Sequence, residues 1–226
     1  MSVTAAEELL FARRSARAFL KDPVPRADLE RILRAARSAP SGANLQPGRF
    51  HALTGAPLAD LSAALLGAID AGRPQVSQYS YFPSPMPPEL KAKQRAAGYA
   101  LYAALGVARR DLDGRRAQFT RNYGFFDAPV GIVVTIHPEM GKGCFMDLGM
   151  ALMALMVAAQ GMGYATCGIG ALANYADVAH AQLGLGADEM VVCGMALGRA
   201  DPEAAANMVE TARDPLDDFS TLRGFS

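Results

Sequence analysis

The sequence predicts one domain of the α/β or α+β class, in which helices flank a central sheet. Three observations indicate this class. The chain has 226 residues, 51% of them hydrophobic, which suffices for one sizeable core over residues 1–226. Apolar runs with strand character alternate along the chain with segments of helical spacing. No repeating unit is present, which argues against a repeat array.

Helices are predicted mainly in the first half of the chain. Thr4 and Glu7 form a capping box that predicts a helix over residues 5–13. A second helix is predicted between Pro25 and Pro40, because apolar residues recur there with helical spacing. Further helical patterns cover residues 56–72, 89–105 and 109–121.

Strands are predicted at four places. The segment RFHALTG, from Arg49 to Gly55, has the alternation of a half-buried strand. The run PVGIVVTI is apolar and rich in β-branched residues, which is typical of a buried central strand, and the apolar run EMVVCGMALG is predicted to be a second buried strand. YATCGI is predicted to form a shorter strand between them.

One apolar stretch raises the question of a membrane span. Residues 148–174 carry no charge and exceed the roughly 20 residues needed to cross a bilayer. Their second half, however, contains Gln160 and several glycines, which suit a turn and a short strand. We therefore predict a core helix from Phe145 to Gln160 and no membrane association.

Charge and composition argue against several kinds of partner and site. The chain has 22 basic and 22 acidic residues, so no net field favours nucleic acid or an anionic membrane. Its 3 cysteines and 3 histidines are scattered, without a CxxC or HExxH pattern. We predict no disulfide framework and no metal site, and we expect a cytoplasmic protein.

A cluster of cations follows the first predicted helix. Arg13, Arg14, Ser15 and Arg17 place three guanidinium groups and a hydroxyl within five residues. Guanidinium groups match phosphate oxygens in a bidentate fashion and stay charged at any working pH. The alternative interpretation is a solvated arginine face without a ligand.

A second polar cluster lies in the loop APSGANLQPG. Between Pro40 and Pro47, Ser41, Asn44 and Gln46 supply hydroxyl and amide groups that can pair with the edge of a heteroaromatic ring. The same residue types also build an ordinary turn between a helix and a strand. Neither cluster alone identifies a ligand.

Together, RRSARAF and APSGANLQP resemble the opening signature of the FMN-dependent nitroreductase family. The resemblance continues through NYGFFDAPVGIVV, GMGYATCGIGALANY, LGLGADEMVVCGMALGRADP and ARDPLDDF. It implies a nitroreductase-type fold with a central mixed sheet flanked by helices. It also implies an intertwined homodimer, in which a C-terminal arm at about residues 199–226 extends from the domain.

The resemblance implies a set of flavin-binding residues. The first motif would hold the FMN phosphate and ring, and the APSGANLQP loop would come from the other subunit. Ile169, Gly170 and Ala171 would flank the reactive N5 atom, and Arg213 would reach back to the phosphate. Asn122 would contact the pyrimidine edge, with Arg121 as the alternative if the alignment slips by one position. Gly48 departs from the tryptophan that many family members carry after QP, which concerns local packing.

The substrate side is predicted from a variable segment at about residues 72–125. Five prolines make its first part irregular, and we expect a flexible loop or lid there. Aromatic residues in and just after the segment could stack on a flat acceptor, with core packing as the alternative. These residues are Tyr81, Phe82, Tyr123, Phe125 and Phe126.

The implied activity is a ping-pong reduction of nitroaromatic or quinone-like acceptors, with NADPH or NADH as the transient electron donor. No protein nucleophile is required, because the flavin carries the chemistry. The absence of a GxGxxG motif agrees with a nicotinamide that only visits the site. Two alternatives remain within flavoproteins: another reductase of the same scaffold, reductive dehalogenase or enoate-type, and a redox sensor without turnover. A helical structural protein with a surface arginine patch would bind no cofactor.

Overall fold

The computed structural model describes residues 3–225 and contains a four-stranded sheet. Its strands, in chain order, are β1 (Arg49–Leu53), β2 (Val130–Ile136), β3 (Ala165–Ile169) and β4 (Met190–Gly198). Their order across the sheet is β1-β2-β4-β3, and all three pairings are antiparallel. The α+β class is therefore confirmed. The expectation of a mixed sheet is corrected: the parallel component of this edge is an isolated bridge from Ser15 to Thr166.

Helices cover both faces of the sheet. They are α1 (Ala5–Ala12), α2 (Arg26–Arg37), α3 (Ala56–Asp70), α4 (Pro88–Ala104), α5 (Leu112–Thr120), α6 (Lys142–Gly161), α7 (Ala176–Leu183) and α8 (Leu216–Phe219). Short 3₁₀ turns occupy Gly42–Asn44, Arg121–Asp127, Gly170–Asn174 and Ala205–Asn207. The capping box of α1 is confirmed, because the Glu7 amide donates to Thr4 Oγ1 and the Thr4 amide donates to Glu7 Oε2.

Two hydrophobic cores lie on opposite faces of the sheet. One packs α2 and α6 against β2 and β4, with Ile32, Leu148 and Leu155 at its centre. The other packs α3, α7 and the Arg121–Asp127 turn against the opposite face. Strands β2 and β4 are buried along their whole length, as their apolar sequences predict.

Helix α6 is buried on one face only. By length and composition it could cross a membrane, since it has 20 residues and a mean hydropathy of 1.5. Leu148, Ala151, Leu155 and Ala159 form its buried face, and they amount to 22% of the apolar window. The core helix predicted from the sequence therefore has a second, exposed face, on which Met146, Met150 and Met153 lie.

The segment predicted to be a flexible lid is attached to the sheet by hydrogen bonds. The Val76 amide donates to the Asn174 carbonyl at 2.8 Å, and Gln78 Oε1 accepts from the Val191 amide at 2.8 Å. The Tyr79 hydroxyl donates to the Val192 carbonyl at 2.7 Å. Burial raises the pKa of Tyr79, so its hydroxyl keeps the proton that it donates. Beyond Tyr79, the aromatic tip formed by Tyr81 and Phe82 is exposed.

A buried carboxylate joins the ends of three strands. Glu189, which precedes β4, is 7% exposed and accepts hydrogen bonds at 2.6 Å from Thr135 of β2 and from the His51 ring of β1. Arg49 lies 3.3 Å from its other oxygen. Burial alone would raise the pKa of Glu189, but the two hydrogen bonds and the charges of His51 and Arg49 lower it below 4.5.

Replacing this carboxylate tests its contribution to stability. For Glu189→Gln we expect the free energy of unfolding at neutral pH to fall by about 2 kcal/mol, because charge-assisted hydrogen bonds are lost. The folded-state pKa of Glu189 lies below the value of 4.5. Its stabilising contribution is therefore present above that pH and is lost as the pH falls through the folded-state pKa. Urea denaturation at about pH 7 and about pH 3 measures the difference between wild type and variant.

Asp188→Asn is the matched control. Asp188 is exposed and contacts Arg49 at 3.1 Å, so its loss should change stability by less than about 0.5 kcal/mol. A difference between wild type and Glu189→Gln that has the same size at both pH values would contradict the role assigned to the carboxylate.

Candidate functional site

A cavity of about 640 Å³ opens beside the edge strand β3. This volume lies in the range of roughly 300–1,000 Å³ that is typical of small-molecule and cofactor sites. Its walls come from α1 and the residues after it, from α6, from β3 and from the segment after β4. They are formed by Leu10, Phe11, Arg13, Arg14, Ser15, Arg17, Met153, Met156, Gly168, Val209, Glu210, Thr211 and Arg213.

The backbone of the first motif is held against the sheet. After α1 ends, the Ala16 amide donates to the Thr166 carbonyl of β3 at 3.0 Å. Further on, the Leu20 amide donates to the Arg199 carbonyl at 2.9 Å. Residues 15–20 thus follow the edge of β3 and the end of β4 as an extended segment, which fixes where the arginines emerge.

The cavity has an excess of positive charge. Four arginines line it, Arg13, Arg14, Arg17 and Arg213, and Glu210 is the one acidic residue among the lining residues of the described chain. Glu210 pairs with Arg14 at 2.5 Å, and both side chains are largely exposed. Such a set of guanidinium groups, with the Ser15 and Thr211 hydroxyls beside them, can bind a phosphate.

The thiol behind the arginines does not offset their charge. Cys167 of β3 is buried, and burial raises its pKa against the opposite influence of Arg17 and Arg13. The thiol therefore stays neutral at physiological pH. The remaining walls are apolar, with Leu10, Phe11 and Met156 among them. The cavity suits a ligand with an anionic end and an apolar body.

Asn207 joins two walls of the cavity. Its Oδ1 accepts from the Arg17 amide at 2.7 Å, and its Nδ2 donates to the carbonyls of Ala18 at 2.9 Å and Asp201 at 2.8 Å. The lining residues Val209 to Arg213 follow directly. Asn207 therefore fixes the segment after β4 against the arginine motif.

The glycine-rich turn after β3 lies at the edge of the cavity. Gly168 is exposed and lines it, whereas the Ile169 side chain is 1% exposed and belongs to the core. A Cβ at Gly170 would lie 2.8 Å from Cε2 of Tyr81, so the Tyr81 ring lies directly against this glycine. Of the predicted trio Ile169, Gly170 and Ala171, none lines the cavity, and any contribution of Ile169 to a ligand would come from its backbone.

Three of the predicted substrate-binding aromatics lie in the core, and this prediction is corrected. Tyr123, Phe125 and Phe126 are 1%, 0% and 2% exposed and pack beneath the sheet with α3 and α7. Their apolar rings stabilise that core and cannot stack on a substrate. Tyr81 is 63% exposed, and it forms an edge-on pair with Phe82 at a centroid distance of 4.7 Å.

Two other predicted residues lie outside the cavity. Asn122 donates through Nδ2 to the Phe119 carbonyl at 2.7 Å. Arg121 pairs with Asp127 at 3.3 Å and stacks over the Phe126 ring. Neither residue is among those that line the cavity, so their assignment to the flavin stays a prediction.

The second predicted cluster lies on the far side of α6. Pro40, Ser41 and Gln46 line a small separate pocket with Asp147 and Ala151, and Asn44 is exposed beside it. Asp147 and Met156 are nine residues apart, about two and a half turns, so they point to opposite faces of the helix. One chain therefore does not bring this loop to its own cavity.

Sequence reasoning missed Asn207 and Gly168. Asn207 stands in a tail without helical or strand periodicity, and its role depends on contacts with residues about 190 positions away. The sequence predicts Gly168 as part of a short strand, and nothing local distinguishes an open strand edge from a paired one. Among residues 3–225, no group of three His, Cys, Asp or Glu side chains could hold a metal ion.

The helix-flanked antiparallel sheet carries at its edge an arginine-lined, partly apolar cavity whose chemistry suits an anionic small molecule. The chain belongs to the nitroreductase family, whose model matches residues 10–199. The family resemblance found in the motifs is therefore confirmed.

Relatives of known activity match nearly the whole chain. It is 36% identical over 218 residues to chloronitrobenzene nitroreductase of Comamonas testosteroni, covering 96% of both chains. It is 33% identical to 4-nitrobenzoate reductase of Pseudomonas putida, covering 97% of this chain and 96% of the relative.

Solved structures match the fold. The FMN and NADPH-dependent nitroreductase NfnB from Sphigopyxis sp. strain HMH has a TM-score of 0.95 and 38% identity, with 98% of this chain and 100% of that chain covered. The FMN-dependent NfnB from Mycobacterium smegmatis, in complex with NADPH, has a TM-score of 0.92 and 30% identity, with 97% and 98% covered.

Removing the side chain that joins the two walls tests the geometry of the cavity. For Asn207→Ala we expect a loss of about 1–3 kcal/mol in the free energy of unfolding, because the Arg17 amide and two carbonyls lose their partner. Denaturant titration measures this loss, and Gln94→Ala on the exposed face of α4 is the control. Equal stability of Asn207→Ala and wild type would show that the hydrogen bonds of Asn207 do not stabilise the fold.

Proposed function

We propose that this chain is an FMN-dependent oxidoreductase that uses NADPH or NADH to reduce nitroaromatic or quinone-like acceptors. The observation that carries the proposal is the convergence of Arg13, Arg14, Arg17 and Arg213 on one cavity that also has apolar walls. Relatives over 96–97% of the chain are nitroreductases of chloronitrobenzene and 4-nitrobenzoate, and similar structures are FMN-dependent.

The cavity fits FMN by its chemistry. The cofactor has a phosphate end that the arginines and Ser15 can bind, and a flat ring system that needs apolar walls such as Met153 and Met156. The exposed Gly168 leaves the β3 backbone open to close approach, because it has no Cβ. The lining residues therefore match both the anionic end and the flat ring of the cofactor in chemical character.

Bound FMN supplies the redox chemistry, which is the transfer of two electrons from a reduced nicotinamide to the acceptor. The chain's own task is to bind, orient and shield. Arg17 and Arg213 line the cavity from two different segments of the chain, and both would hold the phosphate. Tyr81 and Phe82 form an apolar, uncharged tip near Gly170, which suits a flat aromatic acceptor.

We propose that the working unit is a homodimer. The APSGANLQP loop and the cavity lie on opposite faces of α6, so the loop of one copy can complete only the cavity of another. The exposed methionines of α6 and the exposed apolar residues of the arm, Leu216, Phe219 and Phe225, need a surface to cover. A second copy supplies that surface, and we place the enzyme in the cytoplasm.

Spectroscopy and turnover test the activity. The purified protein should be yellow, and under anaerobic conditions NADPH or NADH should bleach its absorbance and a nitroarene should restore it. A panel of halogenated, unsaturated and nitro-substituted acceptors separates nitro reduction from dehalogenation and enoate reduction. Slow reduction by both nicotinamides would instead support a redox sensor. Protein that is colourless and does not take up added FMN would refute the flavin assignment.

Loss of both phosphate-facing arginines should release the flavin. For Arg17→Ala with Arg213→Ala we expect FMN affinity to fall by a factor of about 100 or more, since charge-assisted hydrogen bonds are removed from two walls. Fluorescence titration measures the affinity, and circular dichroism checks the fold. Arg31→Ala, on the exposed side of α2, should bind FMN as the wild type does. Undiminished affinity in the double variant would disprove the assignment of these two residues.

A further inference from the structure

The last residue of α2 is bonded to the loop that follows it. Arg37 Nη1 donates to the Gln46 carbonyl and, at 3.5 Å, to the Pro47 carbonyl, while Nη2 donates to the Gly48 carbonyl at 2.7 Å. Its guanidinium carbon lies 5.8 Å from the centre of the Phe50 ring. Three successive carbonyls therefore converge on one cation.

The loop needs this support because its backbone is strained. Ala43, Asn44 and Gln46 have φ values of 51°, 57° and 50°, in the left-handed region that residues with a Cβ avoid. Three such residues within four positions persist only where the surroundings enforce them, and they are typical of functional sites. A loop free to relax would leave this shape.

Other side-chain contacts support the loop, and two of them each fix a single amide. Ser41 Oγ accepts from the Gln46 amide at 2.9 Å, and Asp147 of α6 accepts from the Gly42 amide at 3.1 Å. Gln46 Nε2 donates to the Asn44 carbonyl at 3.2 Å within the loop, whereas Arg37 reaches the Gln46 carbonyl and the two carbonyls after it from α2. Its Nη1 and Nη2 atoms point at those carbonyls, so it holds the loop's shape rather than facing a ligand.

We propose that Arg37 is a positioning residue that holds the loop of residues 41–46 in the shape that completes the FMN cavity of a second copy of the chain. The inference rests on the proposed FMN site and homodimer, and it adds a residue outside both sequence motifs. Arg37 thus acts on a cofactor that its own chain's arginines do not bind. Ser41, Asn44 and Gln46 would be the groups that it presents.

Substitution of Arg37 separates this role from general stability. Arg37→Met keeps an apolar stem over Phe50 and removes the donors, so we expect FMN to bind about 10- to 100-fold more weakly. Arg37→Lys keeps the charge but not the fork of two nitrogens, and it should fall between Arg37→Met and wild type. Arg34→Ala is the matched control, because Arg34 lies one turn earlier on α2, is exposed and pairs only with Glu30 at 3.1 Å.

A mixed dimer tests action between copies. One chain carries Arg37→Met, and a second chain with a different tag carries both Arg17→Ala and Arg213→Ala. The two chains are refolded together, and the mixed dimer is isolated by its two tags. One of its two cavities combines intact arginines with an intact loop, so it should bind one FMN per dimer with wild-type affinity. Neither parent dimer should do so. Fluorescence titration gives affinity and stoichiometry, and light scattering confirms the mass.

The outcomes separate this inference from the proposed function. Wild-type FMN affinity in both Arg37→Met and Arg37→Lys overturns the inference, and so does a mixed dimer without a tight site, because Arg37 would then act within its own chain. A monomeric wild type that binds FMN tightly overturns it as well. A wild type that binds no FMN overturns the proposed function itself.

Discussion

The pairing of residues 15–16 with Thr166 is the interaction on which the site depends. Strand β3 lies at the edge of the sheet and pairs with β4 on one side, so its outer side would present unpaired backbone groups. The segment after α1 satisfies that edge at Thr166 but has already left it at Gly168, which stays exposed. The cavity lies where the edge pairing stops, and the arginines emerge from the segment that makes it.

Helix α6 separates the arginine-lined cavity from the strained loop of residues 41–46, which lie on opposite sides of it. Its buried face packs on the sheet, Met153 and Met156 face the cavity, and Asp147 holds the strained loop on the other side. A helix that is apolar on several faces is usually buried on all of them. Here the residues that pack within the chain account for one face, and the methionines of another face are exposed.

Much of the fold and part of the site could be predicted from the sequence. The central strands were predictable because each is a short apolar run, and the arginine motif because its charges are concentrated within five residues. The burial of Phe125 and Phe126 could not be predicted, since an aromatic residue near a loop suits a core and a lid equally well. Asn207 could not be predicted because it bonds to residues that are remote in sequence. Arg37 could not be predicted because its sequence context is that of any charged residue on a helix. The direction of strand pairing also has no local signature, which is why the antiparallel sheet differed from the expected mixed one.

Tyr79 anchors the segment that carries the exposed aromatic tip of Tyr81 and Phe82. Its hydroxyl binds the Val192 carbonyl of the central strand β4, and its ring packs against Phe145 of α6 at a centroid distance of 5.8 Å. The two aromatic residues that follow project from this fixed point and contribute little to the core. Substitutions at positions 81 and 82 should therefore change the surface near Gly170 and leave the packing of the core intact. The segment anchored by Tyr79 thus allows the aromatic tip to vary in sequence independently of the fold that carries it.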